Sequence, residues 1–179
     1  MRFAYYDPPY PGKARLYRNE PSFAGEVDHH QLVQNALAGG FDGWALSTSG
    51  RLGALRMLLP LLPDTAIVAP WVKPGGGRPD AYGPHNRWEA LLVVPGRRLR
   101  TAPADFLYAQ PARGGGTLVG RKPIAFVAWL FGMLGARAGD TLVDVFPGTG
   151  IVGRAWEELS GSSSKYSDDF RVYASGHAR

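Results

Sequence analysis

The chain has no cysteine. This excludes disulfide bridges, thiolate metal ligands and a cysteine nucleophile together. Histidine is scarce, and the spacing of His29, His30, His85 and His177 matches no zinc site, so no metal is expected. Long apolar runs are missing as well: none reaches the roughly 18 residues that a membrane span needs. Prolines and an aspartate interrupt the start MRFAYYDPP before it could form the apolar stretch of a signal peptide. A cytoplasmic protein without membrane association is the expectation. Acidic residues are the minority, 15 against 20 lysines and arginines, which leaves a formal net charge of +5. That balance favours a polyanionic partner without requiring one.

What is present suits one folded unit. A chain of 179 residues with 45% hydrophobic side chains can bury a substantial core. RFAYY reads as a short strand. DHHQLVQNALAGG reads as a helix capped by Asp28 and stopped at Gly39 and Gly40. FDGWALSTS is the next strand, GRLGALRMLLPLLP a helix broken by Pro60, and TAIVAPWVKP and WEALLVVP two further strands. Residues 97–120 mix arginine, proline and glycine and read as irregular. KPIAFVAWLFGMLGA is an apolar helix opened by Pro123, GDTLVDVF a strand, PGTG a turn and IVGRAWEEL a helix. Residues 1–160 are expected to form one domain, and 161–179 a serine-rich linker with a terminal strand or tail.

Strands alternating with helices predict an α/β domain: a three-layer α/β/α sandwich with a largely parallel sheet and helices on both faces. Such sheets bind ligands at the carboxyl ends of their strands. YDPPY, STS and FPGTG all fall at strand ends, so they are expected to gather on one rim.

Two of these stretches carry chemistry. In DVFPGTG an apolar strand runs into Asp144, Phe146, Pro147, Gly148, Thr149 and Gly150, and a helix follows directly. Glycines there let a ligand approach the backbone, and the helix start offers free N–H groups. No Gly-Lys-Ser/Thr follows, so this is not a phosphate loop. In YDPPY, Asp7 and the carbonyl of Pro8 can both accept hydrogen bonds from one amino group, while Tyr10 offers a flat face for stacking. That set suits a planar heterocycle bearing an exocyclic amine; a proline-stiffened turn is the plain alternative.

Together the motifs resemble the S-adenosylmethionine-dependent amino-methyltransferases of nucleic acids. Their catalytic Asp/Asn/Ser-Pro-Pro-Tyr/Phe is matched by Asp7, Pro8, Pro9 and Tyr10, and their Phe-x-Gly-x-Gly cofactor loop by Phe146, Gly148 and Gly150. The order, catalytic motif first, is similar to the circularly permuted beta group. GRKPIAFVAWLF resembles the helix start that closes over the methionine end of the cofactor, at Lys122 and Pro123, and WEALLVVPGRR resembles the Glu-x-x-x-x-Val strand, at Trp88 and Glu89. PYPGKARLYR…GEVDH is similar to a segment of short phage and actinobacterial DNA methyltransferases.

The resemblance implies a Rossmann-like methyltransferase fold in permuted order and S-adenosyl-L-methionine as cofactor. It implies methylation of DNA of the restriction–modification kind. Asp7 and the Pro8 carbonyl would localise the lone pair of the target amine, and Tyr10 would stack on a base swung out of the helix. Methylation of a cytosine ring carbon generally needs a cysteine, so an exocyclic amine is the expected acceptor. Adenine in DNA comes first. RNA, the amino group of cytosine, a protein-glutamine substrate and a non-catalytic nucleic-acid-binding module are the alternatives.

Residues 97–120 are short for a target-recognition region. Recognition would then be loose, or come from a partner, a second subunit in a dimer, or the loop over residues 13–25. That loop carries Lys13, Arg15, Tyr17 and Arg18, basic and aromatic residues suited to phosphate contact and stacking; Arg97, Arg98 and Arg100 form a second basic cluster. The family usually places a ribose-binding acid after the next strand, and FRVYAS ends without one.

Overall fold

The computed structural model describes residues 1–18, 25–75, 83–99, 103–112 and 121–161. Their core is a six-stranded sheet: β1 (Arg2–Tyr6), β2 (Gly43–Ser49), β3 (Ile67–Val72), β4 (Trp88–Val94), β5 (Leu107–Tyr108) and β6 (Thr141–Asp144). The strand order is β5-β3-β4-β2-β1-β6. β1 runs parallel to β2 and β6, and β3 parallel to β5, whereas β4 is antiparallel to both β2 and β3. Five strands therefore point one way and β4 alone is reversed.

Helices α1 (His29–Ala38), α2 (Leu52–Leu58) and α3 (Ile124–Leu134) connect strands, and α4 (Ile151–Gly161) follows β6. Asp28 caps α1 by accepting the Gln31 N–H at 3.0 Å, as its position before the apolar pattern predicts. α2 gives way to a 3-10 turn over Leu59–Leu61, where Pro60 cannot continue the ladder. α3 opens at Pro123 and closes at Gly135, whose φ of 70° lets the Ala136 N–H reach back to the Phe131 carbonyl. Pro70 is tolerated within β3 because β5 pairs only with Trp71 and Val72, so the strand edge beside Pro70 is not covered by β5.

The two-residue side-chain period divides the core into two layers. Phe3, Tyr5, Ala45, Trp71, Leu91 and Val93 face α3 and α4; Ala4, Trp44, Leu46, Ala90 and Leu92 face α1 and α2. The sheet is thus covered on both faces, in agreement with the α/β reading. Phe126 of α3 is the hub of the first layer, with ring centroids 6.2 Å from Tyr5, 5.1 Å from Trp71 and 5.8 Å from Trp129.

Differences from the sequence expectations are local. β5 lies inside the stretch read as irregular, because two residues are too few to show periodicity. A 3-10 turn over Ala14–Tyr17 stands within the expected 13–25 loop. The expected linker and terminal strand or tail lie almost wholly outside the described residues. Among the described residues no helix is long and apolar enough to cross a membrane.

Phe126→Ala should lower the unfolding free energy by about 3–5 kcal/mol through the cavity it leaves. Urea denaturation of the variant against the parent measures this, and a change below about 1 kcal/mol would show that the first layer repacks freely.

Candidate functional site

The parallel pairing of β1 with β6 brings together two motifs that are far apart in the chain. Its register sets Tyr5 opposite Asp144, so the turn that begins at Asp7 and the turn that begins at Val145 leave the sheet side by side. The reversed β4 adds its first residues to the same rim: Glu89 pairs with Ser49 at the end of β2 and with Trp71 near the end of β3. YDPPY, STS and FPGTG do gather on one rim.

One buried ammonium ties this rim together. Lys122, 6% exposed, stands just before α3. Its Nζ lies 3.1 Å from Asp7 Oδ1 and 3.2 Å from Glu89 Oε2, and it donates to the Tyr10 hydroxyl at 3.4 Å. Lys73 holds Glu89 from the other side. The rings of Trp71 and Phe126 lie 5.3 Å from the Lys122 ammonium. Beneath them the buried Tyr5 hydroxyl and Ser47 Oγ are 2.8 Å apart.

The ionisation of these groups follows from burial and mutual charge. Burial opposes the charged form of Lys122, but Asp7, Tyr10 and Glu89 outweigh it and raise its pKa well above the ordinary lysine value. Burial likewise disfavours ionised Glu89, and Lys122 and Lys73 overcome this to hold it below the usual carboxylate range. Asp7 moves upward because of burial, a shift restrained by Lys122.

A cleft of about 520 Å³, part of it open to solvent, runs from Asp7 and Lys122 to the glycine turn. Asp144, Phe146, Pro147, Gly148 and Thr149 line its far side, with Tyr5, Tyr17, Arg121, Ile151 and Val152 completing the wall. Gly148 (φ 48°) and Gly150 (φ 68°) take the left-handed conformation that glycine adopts without strain. Among the described residues Asp144 has no lysine partner. Burial and the nearby Asp7 charge push its pKa up to about 6, against backbone hydrogen bonds from Gly153 and Phe146, and Oδ1 is buried without a hydrogen-bond partner. A carboxylate with one unpartnered oxygen beside a glycine turn fits a ligand that brings a hydroxyl, an amino group or positive charge.

The other expected site residues are placed as follows. Pro8 is buried, and among the described residues its carbonyl accepts no backbone hydrogen bond. Pro9 and Pro123 are half-buried outside the cleft lining, while Gly150 closes the turn by donating to the Pro147 carbonyl at 2.6 Å. Lys13, Arg15 and Arg18 are exposed next to the DPPY turn. Tyr17, expected with them at a nucleic-acid surface, lines the cleft. Arg97 lies at the opposite rim, where Nη2 contacts both oxygens of Asp140, the residue that precedes β6, at 2.8 Å. Its neighbour Arg98 is exposed, and Arg100 lies outside the described residues.

Lys73 and Ser47 were not singled out from the sequence. Strand parity could have found them, because Ser47, Trp71, Lys73 and Glu89 continue the face that carries Tyr5. Among the described residues no group of histidine and acidic side chains could hold a metal ion. FRVYAS lies outside the described residues, and Glu157 and Glu158 are exposed on α4. No family model matches the chain, and no curated protein matches it.

Asp144 is raised above its unfolded value. Its neutral form therefore supports the fold at low pH, and that support is lost as pH rises through about 6. Asp144→Asn should stabilise the ligand-free protein at pH 8 relative to pH 4.5, by roughly 1–2 kcal/mol after allowing for solvent screening of a half-buried group. Thermal melts of both proteins at the two pH values test this; an equal difference at both would place the Asp144 pKa in the ordinary range.

Proposed function

We propose that this chain is an S-adenosylmethionine-dependent methyltransferase that modifies the exocyclic amino group of a nucleic-acid base, with adenine in DNA as its first substrate. The observation that carries this reading is the Tyr5–Asp144 register, which opens the DPPY turn and the FPGTG turn into one cleft. Adjacency of β1 and β6, the first and last strands among the described residues, also supports a circularly permuted methyltransferase fold.

Asp144, Phe146, Gly148, Thr149 and Gly150 would hold the cofactor. When bound, S-adenosylmethionine supplies a methyl group activated by positively charged sulfur. A cationic ligand is favoured by the Asp144 carboxylate, which has no lysine partner among the described residues, whereas the Asp7 charge is balanced by Lys122. Its charge would also ionise Asp144.

Asp7 and Pro8 act on the acceptor. Lys122 engages Asp7 Oδ1, which leaves Oδ2 and the Pro8 carbonyl to accept the two N–H groups of the target amine. An aryl amine donating both protons loses conjugation with its ring, and its lone pair becomes nucleophilic. The work is positioning and electrostatics, with no covalent intermediate on the protein. Tyr17, in the cleft wall, joins Tyr10 as a candidate to stack on the base. Exposed Lys13, Arg15 and Arg18 would meet the phosphates beside it.

The direct test incubates the protein with radiolabelled S-adenosylmethionine and duplex DNA, single-stranded DNA or RNA, then identifies the modified nucleoside. N6-methyladenine in DNA is the expected product. Nucleic-acid binding without methyl transfer would make the chain a binding module. Asp7→Ala should lower turnover by roughly a hundredfold or more, while calorimetry finds cofactor affinity nearly unchanged; wild-type turnover would remove Asp7 from the reaction. Lys13→Ala combined with Arg15→Ala should reduce the slope of log affinity against log salt by about 1–2, and an unchanged slope would take these residues out of the interface.

A further inference from the structure

Lys122, expected at the methionine end of the cofactor, lines the cleft with the glycine turn, and its ammonium is engaged by acceptors of the DPPY side. It lies on Asp7 and Glu89 and makes no ion pair with Asp144 among the described residues. An ammonium has three N–H donors. Asp7 Oδ1 at 3.1 Å, Glu89 Oε2 at 3.2 Å and the Tyr10 hydroxyl at 3.4 Å take them up. The third is the longest and its acceptor is neutral, so it is the contact most readily exchanged.

An acceptor, the Asp7 carboxylate, thus stands 3.1 Å from a donor, the Lys122 ammonium, and both residues line the cleft. The complement of that pair is a base edge with an amino group next to an unprotonated ring nitrogen. Adenine presents it with N6 and N1, and cytosine with N4 and N3. On its Watson–Crick edge guanine presents N2–H beside N1–H and would set donor against donor; its unprotonated N3 lies on the other flank of the amine, against the sugar. Thymine and uracil have no amine.

Building on the proposed amino-methyltransferase activity, we propose that Lys122 reads the target base by donating to the ring nitrogen next to the amine, exchanging its Tyr10 contact to do so. Glu89, fixed by Lys73, is the positioning residue that keeps the ammonium beside Asp7 during the exchange. Lys122 admits adenine and cytosine and rejects guanine, and Asp7 is left free to act on the amine.

The test removes the ring nitrogen from the substrate. Short single-stranded oligonucleotides with randomised flanks carry one central adenine or 1-deazaadenine, and methyl transfer from labelled S-adenosylmethionine is compared. Single strands remove base pairing as a variable. For the wild-type protein, kcat/KM should fall roughly tenfold or more when N1 is absent, as for loss of a charged hydrogen bond. Lys122→Met should be slower on adenine but nearly indifferent to N1, which separates the contact from the altered reactivity of the deaza amine. An equal loss in both proteins, or no loss in the wild type, overturns the proposal.

A second readout needs no variant. Adenine labelled with 15N at N1 should show an upfield N1 displacement when the oligonucleotide binds the wild-type protein. An unmoved resonance in the bound oligonucleotide overturns the proposal even if Lys122→Met does not fold. Failure of the protein to methylate natural adenine or cytosine in any nucleic acid would instead refute the proposed activity.

Discussion

The ammonium of Lys122 is the contact on which the rest of the rim depends. A buried lysine without partners would be costly enough to surrender its proton or unfold its surroundings. Here the cost is offset by charge balance: two ammonium groups, Lys73 and Lys122, face two carboxylates, Glu89 and Asp7. Removing any one of the four leaves a charge uncompensated, so the group acts as a unit. Aromatic faces of Trp71 and Phe126 close over it, and hold the charges where water screens them poorly.

The reversal of β4 makes this balance geometrically available. Had β4 run parallel to its neighbours, its first residues would lie at the rim of Arg97 and Asp140, and Glu89 would be far from Asp7. The single change of direction brings the start of β4 to the ends of β1, β2 and β3. Side-chain parity then does the sorting. Tyr5, Ser47, Trp71 and Glu89 share the face that lower down packs α3 and α4, so the apolar layer grades into the charged cluster without a break.

Much of this was legible in the sequence, for identifiable reasons. Val-, Leu- and Trp-rich runs ending at Pro95 or in STS marked the strands, and Asp28 and Pro60 marked helix boundaries through local chemistry that tertiary structure did not override. The DPPY and FPGTG turns stood out because proline and glycine constrain the backbone wherever they occur. The partnership of Lys122 with Glu89 was not legible, since it depends on the direction of β4, which residue patterns do not encode. Arginine runs likewise carry no indication of which rim they occupy. Arg97 joined the expected binding surface on charge alone, and strand geometry sends it to the opposite end.

Pairing between the first and last strands also bears on how the molecule comes into being. β1 lies inside the sheet, yet one of its two neighbours, β6, enters the chain about 140 residues later, with Arg2 opposite Thr141. Contacts that span so much of the sequence close large loops before they are rewarded, and they slow folding. During synthesis, β1 through β5 can assemble around the lysine-centred charges once α3 has emerged. The wall carrying Asp144 joins only with β6 and the turn after it. A nascent chain that has not yet reached β6 would then expose an edge of β1 and half a cleft.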